Sequence, residues 1–189
     1  MSLTLKHFFR DQAHLKEILQ SLPLHSCPFC HMIGTLICHG KLKGHGEDNY
    51  NKDKNYRGQR VICNARRKHR SGCGHTFSIV SAKILKNFCI TAASLWIFLL
   101  AVLRTGSKAK AFRQIPCSMH PSSAYRLWKR FSHAQSRLRS ILSRECPRPK
   151  LPETPCAVTQ TISHILQMFK GRTCPIAAFQ ETFQVPFLQ

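Results

Sequence analysis

The stretch RVICNARRKHRSGCGHTF, Arg60 to Phe77, decides how this chain is read: eighteen positions hold two cysteines, two histidines and five Lys or Arg residues. A structural metal site takes four Cys or His ligands in a tetrahedron, usually as two close pairs on tight turns. Upstream, Cys27-Pro-Phe-Cys30 is such a pair. The second departs from that spacing, because nine residues separate Cys63 from Cys73. The order of parts after the insertion restores the pattern, since Cys73-Gly74 leads into His75-Thr76-Phe77, a glycine turn and an aromatic that close a metal-binding knuckle. The insertion NARRKHRSG is then a basic bulge. A metal held by Cys27, Cys30, Cys63 and Cys73 would fix four basic side chains on one loop, lowering the ordering cost of gripping phosphate.

The expected cofactor is one structural Zn2+ per chain on those four cysteines. Cys38, His31, His39, His69 and His75 lie close enough in sequence to replace one ligand. The bland alternative is a set of unconnected free thiols in a reducing compartment. Cys89, Cys117, Cys146, Cys156 and Cys174 lack paired spacing and read as buried or free thiols.

Charge points to the partner. The 189 residues carry 29 Lys and Arg against 8 Asp and Glu, a formal net charge of +21. Such a balance calls for an anion such as nucleic acid. The basic residues gather between Lys41 and Lys86 and again between Arg104 and Lys150. The N-terminal MSLTLKHFFRDQAHLKEILQ has no apolar signal core, so the expected location is cytoplasmic and nucleoid-associated. The seventeen uncharged residues Asn87 to Leu103 are at the lower edge for a membrane span. Thr91 and Ser94 interrupt them and a basic helical pattern follows at once, so a central buried helix is expected and no membrane partner.

The fold class expected is α+β: a zinc-ribbon β unit followed by a helix-turn-helix domain. A packing helix (residues 1–25, core Leu3 to Leu22) is stopped by Pro23, and the ribbon with its basic insertion covers 26–80. Inside it, KLKGHGEDNYNKDKNYRG reads as a hairpin arm or mobile loop. The helical domain takes 81–145, and a proline-rich linker and tail take 146–189, with one amphipathic stretch, TQTISHILQMF.

Within the helical part, Thr105-Gly106 breaks the chain, Ser107 can cap KAKAFRQI, and Pro116 ends it. In PSSAYRLWKRFSHAQSRLRSIL, Ala124, Leu127, Trp128, Phe131, Ala134, Leu138 and Ile141 follow helical spacing, with basic residues mainly on other faces. Leu127 and Trp128 are expected against Trp96 and Leu100. A helix-turn-helix meets DNA through the start of its last helix. The candidate DNA contacts there are Ser122, Ser123, Tyr125, Arg126, Lys129 and Arg130, with Arg126 reading guanine. In the insertion, Arg66, Arg67, Lys68 and Arg70 are expected on phosphates. The alternative is a solvated basic helix of an ordinary bundle.

The segments SCPFC, QRVICNARRKHRSGCGHTF, SLWIFLLAVLRTGSKAKAF, SSAYRLWKRFSHAQSRLRSIL and CPIAAFQETFQ together resemble short bacterial transposases and transposase-associated proteins, built from a zinc ribbon and a helix-turn-helix. The resemblance implies mobile-element DNA binding and carries the metal role onto Cys27, Cys30, Cys63 and Cys73. Strand transfer of the common type needs three separated carboxylates holding two metal ions. Of the eight acids, five precede Asn55 and Glu145, Glu153 and Glu181 stand in unrelated places. No His-x-His occurs, and Tyr50, Tyr56 and Tyr125 lack a convergent His and Arg setting. No catalytic residue is therefore assigned. The partner expected is duplex DNA, such as transposon ends, with a transposase partner chain or a second copy left open. The alternatives are a transposase subunit whose catalytic centre lies in a partner chain or is unrecognised, and an RNA-binding protein.

Overall fold

The computed structural model describes residues 5–47, 54–64, 72–149 and 156–188. Among them are a four-stranded sheet and six α-helices, a mixed α and β architecture. The chain divides into two compact units, Met1–Gly44 with Lys54–Ala82 and His45–Asp53 with Lys83–Gln189.

The first unit carries the sheet, in the order β1-β4-β3-β2. Its strands are β1 (Phe8–Phe9), β2 (Leu36–His45), β3 (Lys54–Cys63) and β4 (Thr76–Ser81), with helix α1 (Gln12–Ser21) following β1. β3 and β4 run antiparallel with Gly58 opposite Val80 and Val61 opposite Phe77. β1 lies parallel to β4, Phe8 opposite Val80. The helix expected over Leu3 to Leu22 is thus shorter. Phe8 and Phe9 leave it because β4 has an open edge there: Val80 N donates to His7 O at 2.8 Å and Ala82 N to Phe9 O at 2.8 Å. Asp11 then caps α1, its carboxylate accepting from His14 N at 2.9 Å. Pro23 sits in a 3-10 turn, Leu22–Leu24, after the helix. The polar run expected as a hairpin arm or mobile loop belongs to β2 as far as His45 and to β3 from Lys54, with Gly46 and Glu47 following β2 outside the strand. Residues 48–53 lie outside the described set.

Alternation explains this unit's core. Val61 and Cys63 share one face of β3 at the two-residue strand period, and both are buried. They pack with Ile79, Leu36, Phe9, Leu15, Ile18 and Leu22.

The second unit is helical: α2 (Ala92–Thr105), α3 (Lys108–Phe112), α4 (Ser123–Glu145), α5 (Ala157–Met168) and α6 (Pro175–Phe183). No helix among the described residues is long and apolar enough to cross a membrane. The apolar run instead forms α2, which buries Leu95, Trp96, Phe98, Leu99 and Val102. Its N-terminus is capped by Thr91, whose Oγ1 accepts from Ser94 N at 3.1 Å. Glu47 adds a carboxylate there, accepting from Thr91 N at 2.9 Å and Ser94 Oγ at 2.9 Å, which suits the positive end of a helix dipole. Gly106 ends α2 in the left-handed region at φ 66. Ser107 caps α3 as expected, accepting from Lys110 N at 3.4 Å.

The apolar face of α4 is the anticipated one: Ala124, Leu127, Phe131, Ala134 and Leu138 are buried, while Trp128 and Ile141 are half-buried. Leu100 is corrected, because it is exposed beside Ile97 and Leu103 on the outer side of α2. The residues after the proline-rich run join the same core through α5 and α6, with Ile162, Ile165, Ile176, Phe179 and Phe187 buried against α2 and α4 residues.

Candidate metal centre

Two tight turns bring four cysteines together, and the chain builds them alike. In the first, Cys27 N donates to Met32 O at 2.9 Å and His31 N to Cys27 O at 2.9 Å. In the second, Cys63 N donates to His75 O at 2.9 Å and Gly74 N to Cys63 O at 3.0 Å. Measured from the second cysteine of each pair, the partners are the same: the next residue bonds back to the first cysteine's carbonyl, and the one after accepts its N–H. The residue after each second cysteine is left-handed, His31 at φ 60 and Gly74 at φ 74. The second turn is therefore a knuckle of the first kind with residues 64–72 inserted between its two cysteines, of which 65–71 lie outside the described set. Gly72 N donates to Asn64 O at 3.0 Å, joining the two described ends of the insertion, and Asn64 N donates to Thr35 O at 2.8 Å.

The four Sγ atoms all lie within 4.8 Å of one another, with Cys27 to Cys73 at 3.7 Å and Cys30 to Cys63 at 3.6 Å. Cys27 and Cys63 are buried, Cys30 and Cys73 half-buried. Donors converge on the sulfurs. Phe29 N points to Cys27 Sγ at 3.4 Å and Cys73 N to Cys63 Sγ at 3.3 Å. The Thr35 hydroxyl lies 3.1 Å from Cys63 Sγ. The Met32 N–H brings the Cys30 thiol down to about 7, so it ionises readily. Burial has the opposite effect on Cys27, pushing its thiol up to about 12. A cation among the sulfurs would offset that cost, and the cluster can hold a metal ion.

Gly72 shows how closely the chain wraps this centre. A Cβ there would stand 2.5 Å from Cys63 Sγ and 2.7 Å from Asn64 O. Sequence reasoning missed Gly72 and Thr35 as parts of the site. The glycine directly before Cys73 was the one available signal, whereas nothing in the sequence marks Thr35.

None of the alternative ligands joins the described cluster. Cys38 and His39 are exposed on β2, and His31 is exposed at the turn. His75 stacks on Phe29, ring centroids 4.6 Å apart. His69 lies outside the described residues, as do Arg66, Arg67, Lys68 and Arg70.

The candidate DNA contacts of α4 separate into two groups. Ser122, Tyr125, Arg126, Lys129 and Arg130 are exposed. Ser123, expected beside Ser122 at an open helix end, is instead buried, its hydroxyl within 3.3 Å of the Arg126 guanidinium. The helix places Ser123 on the inner face next to Ala124 and Leu127, which explains the difference. Arg126 and Arg130 line a cavity of about 270 Å³ with Ser123 and residues 87–90. Lys108 of α3 reaches across to α4, its Nζ 5.9 Å from the Tyr125 ring centroid and 5.5 Å from that of Trp128. Further along, Arg137 donates to Pro186 O at 2.7 Å and Phe187 O at 2.9 Å, and Arg139 to Ala157 O at 3.1 Å. These two arginines are engaged by the protein's own C-terminal segments.

No protein-family model, curated protein or solved structure matches the chain.

Proposed function

We propose that this chain is a DNA-binding protein of a mobile genetic element, in which one structural zinc ion on Cys27, Cys30, Cys63 and Cys73 organises a zinc ribbon, and a helix-turn-helix formed by α2, α3 and α4 engages duplex DNA. The observation that carries the metal part of the reading is the pair of matching knuckles, whose closing hydrogen bonds are repeated at both cysteine pairs, while the mobile-element setting is what the sequence resemblance implies. A tetrahedron with Zn–S bonds of about 2.3 Å has S···S edges of about 3.8 Å. The 3.7 and 3.6 Å separations of Cys27–Cys73 and Cys30–Cys63 suit it. All-thiolate ligation leaves no open position, so zinc here has a structural role.

For the DNA part, support comes from the division of labour along α4. Its first two turns expose Tyr125, Arg126, Lys129 and Arg130, while Arg137 and Arg139 are spent on internal carbonyls. Exposed cations at the start of the last helix of a short helix pair suit contact with a duplex. The insertion would add phosphate contacts from Arg66, Arg67, Lys68 and Arg70.

The test has two parts. Elemental analysis of reduced, purified protein should return one zinc per chain, and its absence sinks the metal assignment. Selection from random duplex DNA, followed over a salt series, should enrich a defined sequence with a steep salt dependence. Tighter binding of structured RNA than of any duplex would replace DNA by RNA as the partner. Metal-dependent nicking of transposon ends would make the chain a catalytic transposase subunit.

A further inference from the structure

A cavity of about 710 Å³ lies within the first unit, between α1 and strands β2 and β3, and none of the proposed duplex contacts lines it. Two rows of polar side chains flank it. Gln12, Lys16 and Gln20 recur every four residues along α1 and so form one ridge, about 12 Å long at 1.5 Å per residue. Opposite, Lys41 and Lys43 are two residues apart on β2, which puts both on the same side of the strand and about 6.7 Å apart. Between the ridges the lining is apolar and aromatic, with Leu19 and Tyr56 both half-buried. The lining contains three lysines and no carboxylate.

Nothing in the metal centre explains three lysines gathered over an apolar, aromatic floor, because lysine ammonium groups repel one another and are strongly hydrated. An anion relieves the repulsion, and an anion with a flat apolar part also covers the floor. A duplex offers its phosphates on a convex surface and keeps its bases stacked, so it reaches the lysines and leaves Tyr56 and Leu19 uncovered. An extended strand matches both features. Successive phosphates can lie along the Lys41–Lys43 row, and an unstacked base can enter against Tyr56, the combination by which single-strand binders work. We propose that this groove binds single-stranded DNA, separately from the duplex contacts. The choice of DNA over RNA rests on the reading given above.

The test is fluorescence anisotropy of the full zinc-loaded chain with a labelled thymidine oligonucleotide of about 20 nucleotides, longer than a typical single-strand site. A duplex of equal length and a uridine strand are measured in parallel over a salt series. Lys41→Gln with Lys43→Gln, both exposed positions, should weaken single-strand binding about tenfold and flatten its salt slope by about 1.4, or 0.7 for each lost phosphate contact. Tyr56→Leu should cost about fivefold or more with the slope unchanged, its fold checked by circular dichroism and zinc content. As a second readout, ultraviolet crosslinking of a bromodeoxyuridine strand to the wild-type chain should map to the peptide containing Tyr56. Lysine variants that leave single-strand binding unchanged, or that lower single-strand and duplex binding by the same factor, overturn the groove and leave the duplex reading standing. Single-strand binding through the groove with no duplex binding overturns the duplex reading alone. Failure of the wild type to bind either overturns both, and preference for uridine over thymidine overturns the assignment to DNA.

Discussion

Gly72→Ala tests the metal centre without touching a ligand. The new methyl group would stand 2.5 Å from Cys63 Sγ, whereas ordinary contact begins near 3.4 Å, so one of the two must retreat by about 0.9 Å. The other near atoms, Asn64 O at 2.7 Å and Asn64 C at 3.0 Å, are backbone, so rotation of a side chain cannot relieve the clash. Retreat of the loop base breaks the Gly72 N to Asn64 O bond. Retreat of the sulfur moves a ligand several times further than the ~0.2 Å tolerance of a metal–sulfur distance. Either way the second knuckle loses its geometry, and zinc affinity should fall at least about 10- to 100-fold, as when other groups supporting a ligand are removed. Gly74→Ala is the control: a Cβ there meets nothing within 4 Å, and the cost is the left-handed φ of 74 alone, about 1–2 kcal/mol of stability. Competition of each variant against a chromophoric zinc chelator reads the affinities, and thermal melts read the stabilities. A Gly72→Ala protein that holds zinc as tightly as wild type would refute the argument that the loop base is packed against a ligating sulfur.

Other consequences follow from the same geometry. Cys63→Ser, or chelation of the metal, should unfold the β unit while the helical unit keeps its circular dichroism, because the β unit's small core includes Cys27 and Cys63 themselves. Simultaneous loss of all helical signal would count against that independence. Arg126→Ala should relax sequence preference at one base pair by about 1–3 kcal/mol of discrimination, and an unchanged preference order in a selection experiment removes α4 as the reader. Arg137→Ala should do the reverse, destabilising the helical unit by about 1–3 kcal/mol through the carbonyls of Pro186 and Phe187 while leaving DNA affinity and its salt slope unaltered. A melting temperature equal to wild type would show that these bonds add nothing.

Much of this protein is legible in the chain because the signals are local. A Cys-x2-Cys turn, a Cys-Gly-x-x-Phe ending and the apolar period of α4 each depend on residues within a turn or two of one another. They were enough to select the four sulfurs that converge and most of the α4 residues that are buried. Ser107 as a cap and Gly106 as a break are equally local. What the sequence could not decide were contacts made between distant segments. Phe8 and Phe9 have helical spacing with Leu15 and Ile18, and only the open edge of β4 draws them into a parallel strand, since unpaired backbone groups beside a core are costly. Arg137 and Arg139 read as a cationic face until the Pro186 and Phe187 carbonyls claim the first and the start of α5 claims the second. Glu47 reads as a polar loop residue until the start of α2 presents the Thr91 N–H and the Thr91 and Ser94 hydroxyls to it. The three lysines of the groove lie on two elements separated by the first knuckle, and only the packing of α1 against the sheet sets them around one cavity. Local propensity and spacing are properties of a segment; pairing, burial and the gathering of charge depend on which segments meet.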